Sequence, residues 1–407
     1  DLKWWIEYET GLTETDYVFE CIPYESPYES TERKTAIDRI RTEIMSGGGP
    51  DVFIVQCDSV FDSLLFQMPE KAMELGLFLP LDEYIENAEY AEWDKFTDSV
   101  MAAGRNGEGQ QLVPLSYLLP AAMYRKEDVT HTPTTMTWDE MQECEELQDA
   151  CARLGAGFTS NGAFFDFPIE YLLGDSADYS QEELLFTEEE LLDHADTICE
   201  LSAYYSENNL AEKPYCAKSC LGVRFNWTGD IGINSEPAVF SGNGGILNGL
   251  SEHEPLTLVP LYSDDGGCTA VITSFAAVNR NTRRPEEAFK VLDLLLMTGR
   301  QADASLYHDF IYPKYDYTGM PMHEELMSSQ GVMKGRTARN FWFSLTDEDF
   351  ASVCSVRDQI TDVQFSGSLN FELENMMVSC YRAYLNGEDY TDIVHDAYAA
   401  MKQMIAE

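Results

Sequence analysis

Residues 31–58, TERKTAIDRIRTEIMSGGGPDVFIVQCD, constrain the fold most, because they specify a helix, its stop and a buried strand in unbroken succession. Ile37, Ile40, Ile44 and Met45 recur at the spacing of one helical face, while Arg39, Arg41 and Glu43 fall elsewhere on the cylinder. Such a helix packs on a sheet. Gly47, Gly48 and Gly49 offer the left-handed backbone that ends a helix without a Cβ clash, and Pro50 forbids continuation. Val52–Val55 is an apolar run too short for a helix, of the kind covered on both faces in parallel α/β sheets. Gln56 and Asp58 are then at the strand's carboxyl end, where open α/β sheets bind their ligands.

The order Arg41-Thr42-Glu43-Ile44, Gly-Gly-Gly-Pro-Asp, Val-Phe-Ile-Val resembles the "helix, G-x-G-P-D, strand" signature of extracellular solute-binding proteins of ABC importers, the carbohydrate family (family 1) above all. Four further segments fit in the same order. GLFLPLDEY at 76–84 is similar to the family's "G-x-L-x-P-L-D" turn, and QLVPLSYLLPAAMYR at 111–125 to its first interdomain crossing. PTTMTWDE at 133–140 resembles a "P-x-T-W-d-E" helix start, and 270–295 resembles the strand, loop and "pEeAfkvldlL" helix. Together these span about two thirds of the chain.

The resemblance implies a two-lobed periplasmic-binding-protein-like α/β fold, each lobe a mostly parallel sheet flanked by helices and joined by hinge strands. The expected lobes are 1–115 plus 264–314 and 116–263 plus 315–407. It implies a non-enzymatic, cell-surface monomer that closes over a sugar or oligosaccharide and delivers it to the membrane subunits of an ABC importer. Relatives in single-membrane bacteria are held by an N-terminal lipidated cysteine. The chain opens at Asp1 in a helix-like segment where the family has a strand, so either signal and anchor lie upstream or the first strand is built differently.

Length and charge agree with this expectation. The 407 residues, 44% apolar, can fill two cores of ordinary size. With 72 acidic against 26 basic side chains the formal charge is −46, which repels nucleic acid and anionic lipid. No apolar run approaches the ~20 residues of a membrane span. The ten cysteines form no C-x-x-C pair, and Cys144, Cys151 and Cys199 fall on helical apolar faces, so most are expected to be small core residues. A bridge between Cys216 and Cys220 stays open.

Along the chain, residues 14–25 read as a strand and 61–75 as a helix closed by Gly76. Thr137 to Glu140 and Thr187 to Glu190 are capping boxes, the first opening a helix with Met141, Cys144, Leu147 and Cys151 inward. Thr269–Val278 reads as a buried strand, and Pro285 starts a helix with Ala288, Val291, Leu292 and Leu295 behind it, stopped by Gly299. The chain is expected to recross near 312–317 and to be helical over 337–407.

No H-E-x-x-H, G-x-S-x-G or Walker loop is present, and the glycines at 47–49 follow a helix rather than open one. Neither a metal nor a cofactor is expected. Sugars present flat C–H faces to aromatic rings and hydroxyls to carboxylates and amides. Trp227, Trp342, Tyr117, Phe164, Phe165 and Asp166 lie in segments matching the family's cleft, beside Gln56 and Asp58, and each aromatic has a core role as its alternative. Gly267 brings backbone N–H groups close to a ligand or simply turns the chain. Two other functions fit the composition: the same fold binding a peptide, amino acid or polyamine in an acidic cleft, and a glycan hydrolase with two carboxylates ~5 Å apart.

Overall fold

The computed structural model describes residues 17–18, 20, 22, 31–56, 64–125, 135–156, 158–160, 164–208, 217–221, 256–297, 320–322 and 347–407. Its centre is a pair of long antiparallel strands, β4 (Leu112–Arg125) and β11 (Cys268–Val278). β11 is nearly all small, β-branched or aromatic, CTAVITSFAAV, and nearly every residue of it is buried. That composition suits a strand covered on both faces.

Each long strand has two sets of neighbours. The carboxyl half of β11, Ser274–Val278, pairs with β1 (Val52–Gln56), while its amino half pairs with β13 (Ile360–Phe365). The amino half of β4 pairs with β11, while its Leu119–Arg125 half is flanked by β9 (Ala217–Leu221) and β10 (Leu256–Pro260). Between the halves the β4–β11 register shifts on either side of Ser274, and β12 (Met320–Pro321) joins β4 at Tyr117 and Ser116. Bulges kink and twist a strand pair, and Pro114, which has no N–H to donate, lies beside this one. The hydroxyls of Ser116 and Ser274 meet across it at 2.6 Å, buried.

Helices cover this sheet as their patterns dictate. α1 (Thr31–Met45) buries Ile37, Ile40 and Ile44. It ends in a Schellman motif: Gly48 N–H donates to Glu43 O and Gly47 N–H to Ile44 O, with Gly47 at φ +81°. Met45, one residue past the buried stripe, is exposed rather than packed. α2 (Pro69–Glu74), α3 (Asp82–Ile85) and α4 (Asp98–Ala102) are short, and the small hairpin β2 (Arg105–Asn106) and β3 (Gly109–Gln110) leads into β4. Phe53, Phe66, Phe78, Phe275 and Phe365 form one aromatic cluster with centroid spacings of 5.0–6.5 Å, mostly edge to face.

After β4 come α5 (Trp138–Glu143), α6 (Gln148–Gly155), the hairpin β5 (Phe158–Ser160) and β6 (Phe164–Asp166), and α7 (Ile169–Leu172). The hairpin β7 (Ala177–Asp178) and β8 (Glu183–Leu184) and the long helix α8 (Glu188–Glu207) follow. Both expected capping boxes form: Glu140 N–H donates to Thr137 Oγ1 at 3.2 Å and Thr187 N–H to Glu190 Oε2 at 2.7 Å, each with its reciprocal bond. α9 (Pro285–Leu295) starts at its proline, and α10 (Asp347–Arg357), α11 (Ser368–Asn386) and α12 (Thr391–Ala406) close the chain.

Several expectations are corrected. Among the described strands of the main sheet only β11 and β13 run parallel, so the sheet is mixed rather than mostly parallel. The cause is the central pair, which is antiparallel to itself and to most of its neighbours. Ile54 is 36% exposed, so β1 is not covered on both faces. Within the described part, 64–75, of the helix expected over 61–75, only α2 is helical, because Pro69 fits only its first turn and Gly76, at φ +70°, ends it. The helix expected from Thr137 breaks at Cys144, whose backbone is extended (ψ 108°). Within 337–407, Ile360–Phe365 is strand, because its backbone is used by β11. The buried thiols Cys151, Cys199, Cys268 and Cys380 are core residues as expected. Cys216, Gly299 and 312–317 lie outside the described residues.

Candidate functional site

A pocket of about 340 Å³ opens between α2, which precedes the long strands, and the β7–β8 hairpin, which lies between them in sequence. Its polar lining is Glu70, Glu74, Asp175, Asp178, Tyr179 and Ser180, with Ala177 and Leu185 as the apolar part.

Local chemistry fixes both walls. Pro69 at the first helical position places Glu70 in the first turn of α2, where Oε1 accepts the Phe365 N–H of β13 at 2.8 Å. Ser368 N–H donates to Gln67 O at 2.7 Å, and Gly367 packs so tightly there that a Cβ would stand 2.7 Å from Gln67 O. Lys71 Nζ donates to Ile405 O at the end of α12. On the opposite wall, Asp178 Oδ1 accepts Ser180 N–H, Ser180 Oγ–H and Gln181 N–H at 2.7–3.0 Å, an Asx turn that shapes the hairpin tip. Ser176 Oγ donates to Gln364 Oε1, and Gln364 Nε2 donates to Glu170 O, tying the hairpin base to β13.

The electrostatics are one-sided. Burial pushes the Glu70 carboxyl up to about 7 against the Phe365 N–H, and the Asp175 charge adds to the rise. Burial pushes Asp175 up to about 6, with Asp362 and Asp265 reinforcing it. Tyr179 is raised well above its ordinary value by burial, then by Glu70 and Asp175, whereas the Ser180 hydroxyl holds Asp178 low. Glu70 Oε2 is buried with no hydrogen-bond partner. Among the described residues no basic side chain forms an ion pair with these carboxylates, and none of the His, Cys, Asp and Glu groups is arranged to hold a metal ion. The lining can accept hydrogen bonds from hydroxyl or ammonium groups.

None of the described residues singled out from sequence lines this pocket. Gln56 ends β1 opposite Ser274, at the bulge. Tyr117 lies opposite Ile272 at the same crossing, but its ring is fully buried, so it is a core aromatic and not a surface offered to a ligand. Phe164, Phe165 and Asp166 form β6. Gly267 is a turn glycine: its N–H donates to Met136 O at 3.1 Å, and at φ +86° a Cβ would stand 2.4 Å from Thr361 Cγ2. Asp58, Trp227 and Trp342 lie outside the described residues. Sequence reading passed over Glu70, Asp175 and Tyr179. In a chain with 72 acidic residues, the available signals were only a Pro-Glu helix start and the Gly174-Asp-Ser-Ala-Asp turn.

No protein-family model matches the chain, and a search of curated proteins returns no match. Solved structures do match. A periplasmic oligogalacturonide-binding protein from Yersinia enterocolitica aligns with a TM-score of 0.51 at 11% identity, over 91% of this chain and 88% of that one. An ABC substrate-binding protein from Listeria monocytogenes in complex with cycloalternan aligns over 100% and 95% (TM-score 0.49, 12% identity). A family 1 extracellular solute-binding protein from Alicyclobacillus acidocaldarius aligns over 93% and 89% (0.49, 12%). The fold is the α/β fold of the periplasmic solute-binding proteins, an assignment that rests on the first of these.

Proposed function

We propose that the protein is the extracellular substrate-binding component of an ABC importer, taking a sugar or oligosaccharide between two lobes and presenting it to the membrane subunits. The observation that carries this reading is the β4–β11 pair: each strand serves two sets of neighbours, and the register breaks where those sets meet. Such strands act as hinges, with residues 1–115 and 264–314 on one side and 116–263 and 315–407 on the other. Contacts that a ligand makes with both lobes exist only in the closed form, so its differential affinity drives closure. The protein works as a monomer, performs no chemistry on its ligand, and is tethered at the cell surface by a lipid. The structural likeness to the oligogalacturonide-binding protein supports the sugar assignment.

A thermal-shift panel of mono- and oligosaccharides, amino acids and polyamines tests it. A ligand at a hundred times its Kd stabilises the native state by about 2.7 kcal/mol. At least one neutral sugar should raise the melting temperature. Silence across the sugars removes the proposal. The acidic pocket favours a second reading, a cationic amine ligand, because ammonium groups offset buried carboxylates that hydroxyls leave charged. A response to spermidine that weakens with salt, without any sugar response, would select it.

A further inference from the structure

We propose that Glu70 is a proton-operated latch: protonated, it holds α2 against β13 and the β7–β8 hairpin and favours the closed arrangement; ionised, it loosens that contact and favours opening. The inference rests on the two-lobed reading above, in which Glu70 belongs to one lobe and Phe365, Asp175 and Tyr179 to the other.

The carboxyl takes backbone N–H groups from Phe365 and from Glu70 itself, but one of its oxygens takes none. Oε1 accepts the Phe365 N–H, while Oε2 is buried without a partner. An ionised carboxylate shut away from water needs several donors or a cation, and a protonated one needs neither. The groups that line the pocket with Glu70 are acidic, phenolic, hydroxyl or apolar. Asp175 raises Glu70 directly, with Asp362 and Asp265 standing behind Asp175; the half-buried Tyr179, Glu74 and Asp178 share the pocket. Lys71, the basic residue of α2, is directed to Ile405 O instead. The carboxyl is set at about 7, against the ordinary 4.5, so its charge appears as pH rises through neutrality. Asp175, set at about 6, ionises just before it. The remaining ties of α2, Ser368 N–H to Gln67 O and Lys71 to Ile405 O, involve no carboxyl group and stay in place, so ionisation weakens the dock without dissolving it.

Hydrogen exchange at the Phe365 amide, corrected for intrinsic rate, and small-angle scattering are followed from about pH 5.5 to about pH 8.5. In the wild type, protection should fall about tenfold or more and the radius of gyration should rise, with a midpoint near neutrality. Glu70→Gln keeps an oxygen for the Phe365 N–H and cannot ionise, so its profiles should be flat. Asp175→Asn removes the nearest like charge, so its midpoint should move to lower pH. It carries the test if the first variant does not fold. A flat wild-type profile overturns the latch, and so does a Glu70→Gln profile that still moves or an Asp175→Asn midpoint that does not. Sugars titrated into the same samples separate the two claims. Binding with pH-independent protection refutes the latch and leaves the transport reading; the pH response without any sugar binding supports the latch and refutes that reading.

Discussion

Replacing Asp293 with Asn should unfold part of the molecule well below the wild-type midpoint, although the change exchanges only one carboxylate oxygen for an NH₂ group. Asp293 sits in α9, 2% exposed, facing the loop that leads to Trp93. Its Oδ2 accepts the N–H groups of Glu89 and Tyr90 at 2.8 and 2.9 Å; its Oδ1 accepts Ala91 N–H at 3.0 Å and the Trp93 indole N–H at 2.8 Å. Four donors converge on one carboxylate, and Trp93 also stacks on Phe289 of the same helix with centroids 5.8 Å apart. Asn keeps one acceptor oxygen and turns an NH₂ group toward two of the donors. Two lost charge-assisted bonds at about 1.5 kcal/mol each give roughly 3 kcal/mol, and Ala, which orphans all four donors, should cost about 5 kcal/mol. For a lobe-sized unit each kcal/mol lowers the midpoint by about 2–4 °C, so the Asn variant should melt roughly 6–12 °C early by calorimetry. A shift below about 2 °C would show that the loop finds other acceptors and that the anchoring role is misassigned.

Other sites give shorter tests. Gly267→Ala forces a Cβ to 2.4 Å from Thr361 Cγ2 and 2.8 Å from Gln359 O at φ +86°, so urea denaturation should show a loss above about 2 kcal/mol. Thr187→Ala removes one half of a capping box and should lower stability by about 1 kcal/mol in the same assay, with α8 fraying first in hydrogen exchange. The folded-state value of Glu70 is raised, so the native protein binds this proton more tightly than the unfolded chain does. Stability from this group is therefore present below about 4.5 and lost as pH rises to about 7. Glu70→Gln should gain about 3 kcal/mol relative to wild type at pH 8 and little at pH 4, read from denaturation midpoints at the two pH values.

What the sequence disclosed follows from the range of the interactions involved. The end of α1, both capping boxes and the proline start of α9 depend on residues within a turn of one another, and all formed as their spacing required. Strand direction did not, because whether Val52–Gln56 runs parallel or antiparallel to its neighbour is decided by Ser274–Val278, more than two hundred positions away. β13 was hidden for the same reason: Ile360-Thr-Asp-Val-Gln-Phe sits between helices, and its partner is β11. Asp293 is one acid within a leucine-rich helix, and nothing near it in sequence marks the four donors from 89–93 that meet it. The pocket carboxylates were least legible, since Glu70 and Asp175 differ from the other acidic residues in burial and company, not in residue type.

The proposed hinge at the β4–β11 crossing is tested most directly by small-angle X-ray scattering at about pH 8.5, where Glu70 is ionised, with and without a saturating sugar chosen from the thermal-shift panel. Closure about Ser116 and Ser274 predicts a smaller radius of gyration and a narrower distance distribution once the sugar is bound. A bound sugar that leaves both unchanged would contradict it.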